Sequence, residues 1–272
     1  MQNTAKLFDT NALSLHRTRA LQSGNAAWFL HELAAECVHE RLQDINRKFT
    51  NPAFVGWNDD IWQKTFQQRL NVALDSDVIA LNETSHDLVI NGLTLHWAND
   101  PVGQLVQMRR ALQPDGLMIA ALFGGQTLNE LRIAFAEAEA RTEGGLSPRI
   151  APMGEIRDLG ALLQRAGFAL PVADSITLNV EYDTPIHLMN DLRQMGEANA
   201  LLQRRRFLKR ETLAAAAEIY AANYQKTSGR ISATFELVFL TGWAPSKDQQ
   251  KPLRPGSAQK RLADALGTTE HD

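Results

Sequence analysis

The chain has 272 residues, with 28 Lys+Arg against 31 Asp+Glu and a formal net charge of −3. With 44% hydrophobic and 22% charged residues it has a globular composition with enough apolar mass for a core. Its near-neutral charge argues against dedicated nucleic-acid binding, and no apolar stretch reaches the ~20 residues that span a bilayer.

Positions 1–24 carry no apolar leader, and the single Cys37 excludes an internal disulfide, so the expected setting is cytoplasmic. Gly24 to Phe49 reads as one long amphipathic helix, with Leu30, Ala34, Cys37, Val38 and Leu42 on its apolar stripe. Cys37 is then a buried structural thiol. His31 and His39 lie two turns apart, which is the wrong spacing for a shared zinc ion, so they are expected at the surface and no metal is expected.

Ala53 to Trp57 is a strand candidate, Asp59 to Arg69 a short helix, and Asn71 to Leu74 a second strand. Asp87 to Asn91 is a third strand. Asp100 then caps a helix with Pro101 at its first position. Pro114-Asp115-Gly116 is a turn, and Leu117 to Phe123 is apolar throughout, as a strand covered on both faces requires. Thr127 and Glu130 have the spacing of a capping box. Strand, helix and strand in this order predict a parallel, doubly wound sheet.

Further on, Glu155 to Ala166 is a helix closed by Gly167, Phe168 to Tyr182 is extended, and helices fill 185–225 from Thr184-Pro185. Ile231 to Trp243 is a long strand expected antiparallel to its predecessor. Arg204-Arg205-Arg206, with Lys209 and Arg210, is the densest basic run. It is either a solvated helix face or a contact for an anionic partner or a membrane surface.

Ligands bind outside the carboxyl ends of strands in doubly wound sheets. The segment Asn91-Gly92-Leu93-Thr94-Leu95-His96-Trp97 lies there. His96 and Trp97 are equally ligand contacts or packing groups under the next helix.

The run Asp87-Leu88-Val89-Ile90, then Leu95-His96-Trp97, then Met108 to Gly116, resembles class I S-adenosylmethionine-dependent methyltransferases. Ser147-Pro148-Arg149, Arg157 to Gly160, Leu163 to Phe168, Asp191-Leu192-Arg193, Ala233 to Glu236, Gly242 to Pro245 and Pro252 to Ser257 narrow the likeness. They resemble alphaproteobacterial and mitochondrial proteins related to the malonyl-carrier-protein methyltransferase, a subgroup that includes a complex I assembly factor acting as a protein-arginine hydroxylase. The resemblance implies a Rossmann-like sheet with an N-terminal helical segment over 1–50, a methyltransferase-like domain over 51–245 with a helical lid at about 185–225, and a Pro-containing tail over 246–272. It implies S-adenosylmethionine as the cofactor. Gly56, Asp75, Asn91, Gly92, Leu93 and Trp97 would be its contacts, with His96, Arg149, Asn199 and Glu236 on the substrate side.

The glycine-rich cofactor loop is where the chain departs from that family. Its first strand runs into Val55-Gly56-Trp57-Asn58-Asp59, with one glycine followed by a bulky indole. Only 19 positions separate Gly56 from Asp75, whereas two crossovers and an intervening strand need about 25. One strand–helix unit is therefore expected to be missing, together with the acid that would hold the ribose, unless Asp75 takes that role. Two readings stay open: a methyltransferase-like protein acting on a protein substrate in complex I assembly with cofactor binding impaired or lost, and a non-catalytic relative that keeps the partner-binding role.

Overall fold

A computed structural model describes residues 6–24, 27–203 and 207–249. The Arg204, Arg205 and Arg206 run and all of the tail beyond Gln249 lie outside them. The elements in chain order are α1 (Thr10–Gln22), α2 (Phe29–Gln43), β1 (Pro52–Val55), α3 (Asp59–Phe66), β2 (Asn71–Ala73) and β3 (His86–Gly92). A 3-10 turn (Leu95–Trp97) leads to α4 (Pro101–Ala111), β4 (Leu112–Phe123), α5 (Asn129–Thr142) and α6 (Ile156–Arg165). Then come β5 (Ala169–Tyr182), α7 (Pro185–Gln194), α8 (Arg210–Tyr224) and β6 (Ile231–Trp243).

The six strands form one sheet in the order β2-β1-β3-β4-β6-β5. β2, β1, β3 and β4 run parallel, and β6 lies antiparallel between β4 and β5. A single helix, α3, joins β1 to β2, which pairs directly with β1. That is the one crossover the Gly56–Asp75 spacing allows, and the sheet is one strand short of seven.

Side chains alternate across the central strands because successive Cβ atoms point to opposite faces. Phe54, Ile90 and Ile119 join the core under α2, α3, α5 and α8. Val55, Val89 and Met118 join the core under α4 and α6. β1 and β3 therefore send their following helices, α3 and α4, to opposite faces, and a crevice opens at their carboxyl ends. The expected caps form at two helices: the Asp100 carboxylate accepts from the Gly103 N–H at 2.8 Å, and the Thr184 hydroxyl accepts from the His187 N–H at 3.2 Å.

Several expectations need correction. The helix read from Gly24 to Phe49 is shorter, because Phe29–Gln43 alone carries the buried stripe. The polar-looking N-terminus contains α1, capped by Asp9, whose carboxylate accepts from the Asn11 and Ala12 N–H groups at 3.1 Å. Only Leu13, Arg17 and Ala20 of α1 are buried, which is too sparse a stripe to read.

Pro114-Asp115-Gly116 lies within β4 as a bulge. Pairing with β3 jumps from His86↔Leu112 to Leu88↔Leu117, and Asp115 takes a left-handed φ of 63°. Thr127 and Glu130 do not cap α5. The Thr127 hydroxyl exchanges hydrogen bonds with the Glu236 backbone, and the Glu130 carboxylate accepts from the N–H and hydroxyl of Thr234. Both side chains fasten α5 to β6. Helices do not fill 185–225: after α7 the chain bridges Leu201 to Phe8, so the N-terminal segment is tied to the lid. Among the described residues no helix is long and apolar enough to cross a membrane.

Phe54 is fully buried, 5.3 Å from the Trp62 ring. Phe54→Ala is expected to lower unfolding stability by about 3–5 kcal/mol, read as a reduced denaturant midpoint with an unchanged m-value.

Candidate functional site

The crevice at the carboxyl ends of β1 and β3 is closed above by α1. It holds a cavity of about 620 Å³ walled by α1, Trp57, the segment Leu74–Val78 after β2, and Trp97 to Asn99. Gln104 of α4 holds the far wall, its amide donating to the Asp75 carbonyl at 3.2 Å.

The six residues expected to meet a cofactor divide into two groups. Asp75 and Trp97 line the cavity. Gly56 and Gly92 do not open onto it. A Cβ on Gly56 would meet the Phe54 ring at 2.6 Å, and one on Gly92 would meet Phe54 at 2.5 Å and Trp62 at 2.7 Å. These positions are small because Phe54, two residues before Gly56 on the same face, leans over both strand ends. Asn91 and Leu93 are fully buried. The Asn91 amide donates to the Thr94 hydroxyl at 2.8 Å, and Leu93 holds a left-handed φ of 52°. Together they shape the turn that delivers His96 and Trp97.

Asp75 is already engaged. Both of its oxygens lie 2.9 Å from Nη1 of Arg17, and the two side chains are 8% and 10% exposed. The same guanidinium lies 5.4 Å from the Trp57 ring centroid. A charge pair this deeply removed from water holds together because breaking it would strand an uncompensated ion.

A second cavity, of about 240 Å³, lies on the other side of Trp97. Phe123, Leu128, Leu131, Phe135, Met153 and Phe235 form its apolar walls. Arg149 and Asn199, both expected on the substrate side, reach it, whereas Glu236 does not line it. Arg149 is neutralised by Glu139, with Nε 2.7 Å from Oε1. Asn199 ties the loop together, donating to the Pro148 carbonyl at 3.0 Å and accepting from the Leu201 N–H at 2.9 Å. The Glu236 carboxylate accepts from the Gln126 N–H at 3.0 Å.

Glu197, which sequence reasoning missed, lines the second cavity and is bonded to Trp97, which lines both. Its Oε2 accepts from the Trp97 indole at 2.7 Å and lies 3.1 Å from His96 Nε2. The turn that ends α7 places it there. Gly196 takes a φ of +80°, and the Glu197 N–H bonds back to the Leu192 carbonyl at 2.8 Å. Burial alone would raise the Glu197 carboxyl, but the facing His96, the Trp97 indole and His31 hold it below the usual carboxylate range. A glycine followed by an acid at a helix end was the available signal, and it says nothing of what the acid faces.

His31 corrects another expectation: it is 1% exposed, wedged edge-on between Trp28 and Trp57 at 5.4 and 5.5 Å. Desolvation lowers its pKa to about 4. Cys37 is buried in the apolar stripe, and its thiol is pushed up by that burial. Among the described residues no group of three His, Cys, Asp or Glu side chains has a metal-holding arrangement.

Residues 52–120 match the family model for a methyltransferase domain. The chain is 40% identical over 189 residues to the mitochondrial arginine-hydroxylase NDUFAF5 of Homo sapiens, covering 70% of this chain and 55% of that protein. It is likewise 40% identical over 198 residues to the Dictyostelium discoideum arginine-hydroxylase NDUFAF5, covering 72% of this chain and 45% of that protein. It is 34% identical over 185 residues to the malonyl-[acyl-carrier protein] O-methyltransferase of Laribacter hongkongensis, covering 68% and 60%. The chain thus spans about half the length of the curated relatives it matches. Among solved structures, a putative methyltransferase from Bacillus halodurans aligns at 9% identity and a TM-score of 0.48, over 78% of this chain and 99% of that one.

The buried imidazole makes the fold acid-sensitive in a defined window. The folded pKa of His31, about 4, lies below the ordinary imidazole value of 6.5, so the unfolded chain takes the proton first. Stability is full above pH 6.5 and falls as the pH drops toward 4, by about 3 kcal/mol for this group. Urea unfolding of His31→Phe is expected to show a pH 7 to pH 4 loss smaller than that of the wild type by this amount.

Proposed function

Starting from a methyltransferase-like domain related to the arginine-hydroxylase NDUFAF5, we propose a factor that engages a protein partner in respiratory complex I assembly, with S-adenosylmethionine binding impaired. The observation that carries the reading is the engagement of Asp75 by Arg17. An acid at that strand end would hold the ribose hydroxyls in a nucleotide-type site, and here both of its oxygens face a buried guanidinium. The glycine side supports it as well. Backbone at Gly56 would have to face the cofactor closely, and Phe54 covers that face. The residues present do not fit the cofactor, and no chemical step is assigned to it. The half proposed to meet a partner is formed in this chain: the helical lid and the cavity beneath it are in place, with Arg149 and Asn199 held by internal bonds. A cytoplasmic setting belongs to the same proposal and rests on the composition and the single cysteine.

The enzyme reading has one observation in its favour, the 620 Å³ cavity beside Asp75, which is large enough for a nucleoside. Calorimetry separates the two. A ligand at 100 times its dissociation constant stabilises a fold by about 2.7 kcal/mol. The expected result is no heat and no rise in melting temperature with millimolar S-adenosylmethionine or its demethylated product. Arg17→Ala is expected not to restore binding, since Phe54 still covers Gly56; saturable binding by the wild-type chain would overturn the impaired reading. For the partner, affinity capture on purified complex I subunits and assembly factors should recover a stable complex, and recovering none removes the assembly role.

A further inference from the structure

With one strand–helix unit fewer, the parallel half of the sheet ends at β2, whose outer side faces no strand among the described residues. The Gly56 N–H bonds the Ala73 carbonyl at 3.0 Å, so Ala73 turns its backbone groups to β1. Those of Val72 and Leu74, on either side of it, therefore turn outward. Val72 and Leu74 also share one face of the strand, and they are 39% and 65% exposed. Val78, 75% exposed, and the exposed Leu21 of α1 continue the apolar surface beside Leu74 in the wall of the first cavity. An open strand edge is commonly blunted by proline, lysine or a bulge. The opposite edge, β5, has Pro171 within a bulge, whereas β2 has none of these and is guarded by its length alone.

We propose that β2 pairs antiparallel with β2 of a second copy of this chain, about a two-fold axis at Ala73. In that register each Val72 stands opposite Leu74 of the second copy, and the two residues exchange both of their outward backbone bonds. The apolar side chains meet in the same two pairs, because a two-fold contact brings i to j and j to i. The charges fit as well. Arg69 and Asp77 lie equally far before and after Ala73, so the register brings each Arg69 to Asp77 of the second copy. Arg69 is exposed and has no ion pair among the described residues. Asp77 meets Lys6 at 3.4 Å, a contact between two exposed side chains that leaves the carboxylate open to a second cation. An unrelated strand could take the backbone bonds, but the self-complementary order of Arg69, Val72, Leu74 and Asp77 fits this chain itself. The pairing is independent of the cofactor and of the complex I partner.

Analytical ultracentrifugation of the full chain, from micromolar to several hundred micromolar, is expected to show a reversible monomer–dimer equilibrium. Val72→Pro removes an outward N–H and leaves the bonds to β1 intact, so it should raise the dimer dissociation constant at least tenfold. Arg69→Glu and Asp77→Arg should each do the same, since like charges then face one another twice. Mixed in equal amounts, these two variants should form a heterodimer in which both charge pairs are restored. Both substitutions lie at the surface, so the mixture serves even if Val72→Pro does not fold. A chain that stays monomeric throughout overturns the pairing. So does a dimer indifferent to all three substitutions, or a mixture that associates no better than its components.

Discussion

Phe54 stands on β1, an inner strand of the parallel half, and its ring leans toward the carboxyl end of the sheet. That placement forbids a side chain at Gly56 and Gly92 together and gives Trp62 of α3 a surface to pack on. In a doubly wound sheet this is where backbone must be bare if a nucleotide is to approach it. Here the bare backbone is covered from within, so the two glycines serve close packing rather than ligand approach. Apolar burial is the largest favourable contribution to folding, and a ring in that position stabilises the core at the expense of an opening.

The region above the sheet follows from the same constraint. With Phe54 below, Trp57 turns upward and meets Trp28, His31, Arg17 and the backbone turn at Gly196. Arg17 is then positioned to reach Asp75 from α1. The N-terminal helix is anchored by this ion pair and by the pairing of Leu7 to Asp9 with the Ala200–Leu202 segment. The first cavity is therefore bounded by α1, whose guanidinium has already satisfied the carboxylate in its wall.

Glu197 depends on the tertiary arrangement in the same way. Its carboxylate lies between His96 after β3 and the end of α7, and Trp97 separates the two cavities. Much of this site was visible in the sequence as components. His96-Trp97 after a strand and the solitary Gly56 were legible from position and spacing, whereas Arg149 and Asn199 were expected from the family resemblance alone. What brought them together was not. Glu236 shares a strand with wall residue Phe235, yet its carboxylate turns to the Gln126 N–H. Strand alternation puts neighbouring residues on opposite faces, and which face carries the cavity depends on α5, a hundred residues earlier in the chain.

The doubly wound sheet and the antiparallel last strand could be read from the sequence, as could, against the family it resembles, the missing strand–helix unit between Gly56 and Asp75. These rest on local periodicity, caps and chain length, which are properties of neighbouring residues. Only the tertiary structure decided that α1 exists as a lid, that Thr127 and Glu130 fasten α5 to β6, that His31 is buried, and that Asp75 is held by Arg17. The Arg17–Asp75 pair and the α5–β6 fastenings join residues 58 to 109 positions apart. His31 packs against Trp57 from the far side of a loop, and α1 is too sparsely apolar to announce itself. Long-range partners are selected by what the finished fold desolvates, because a charge or ring buried at one end of the chain must find its partner wherever the sheet has brought it.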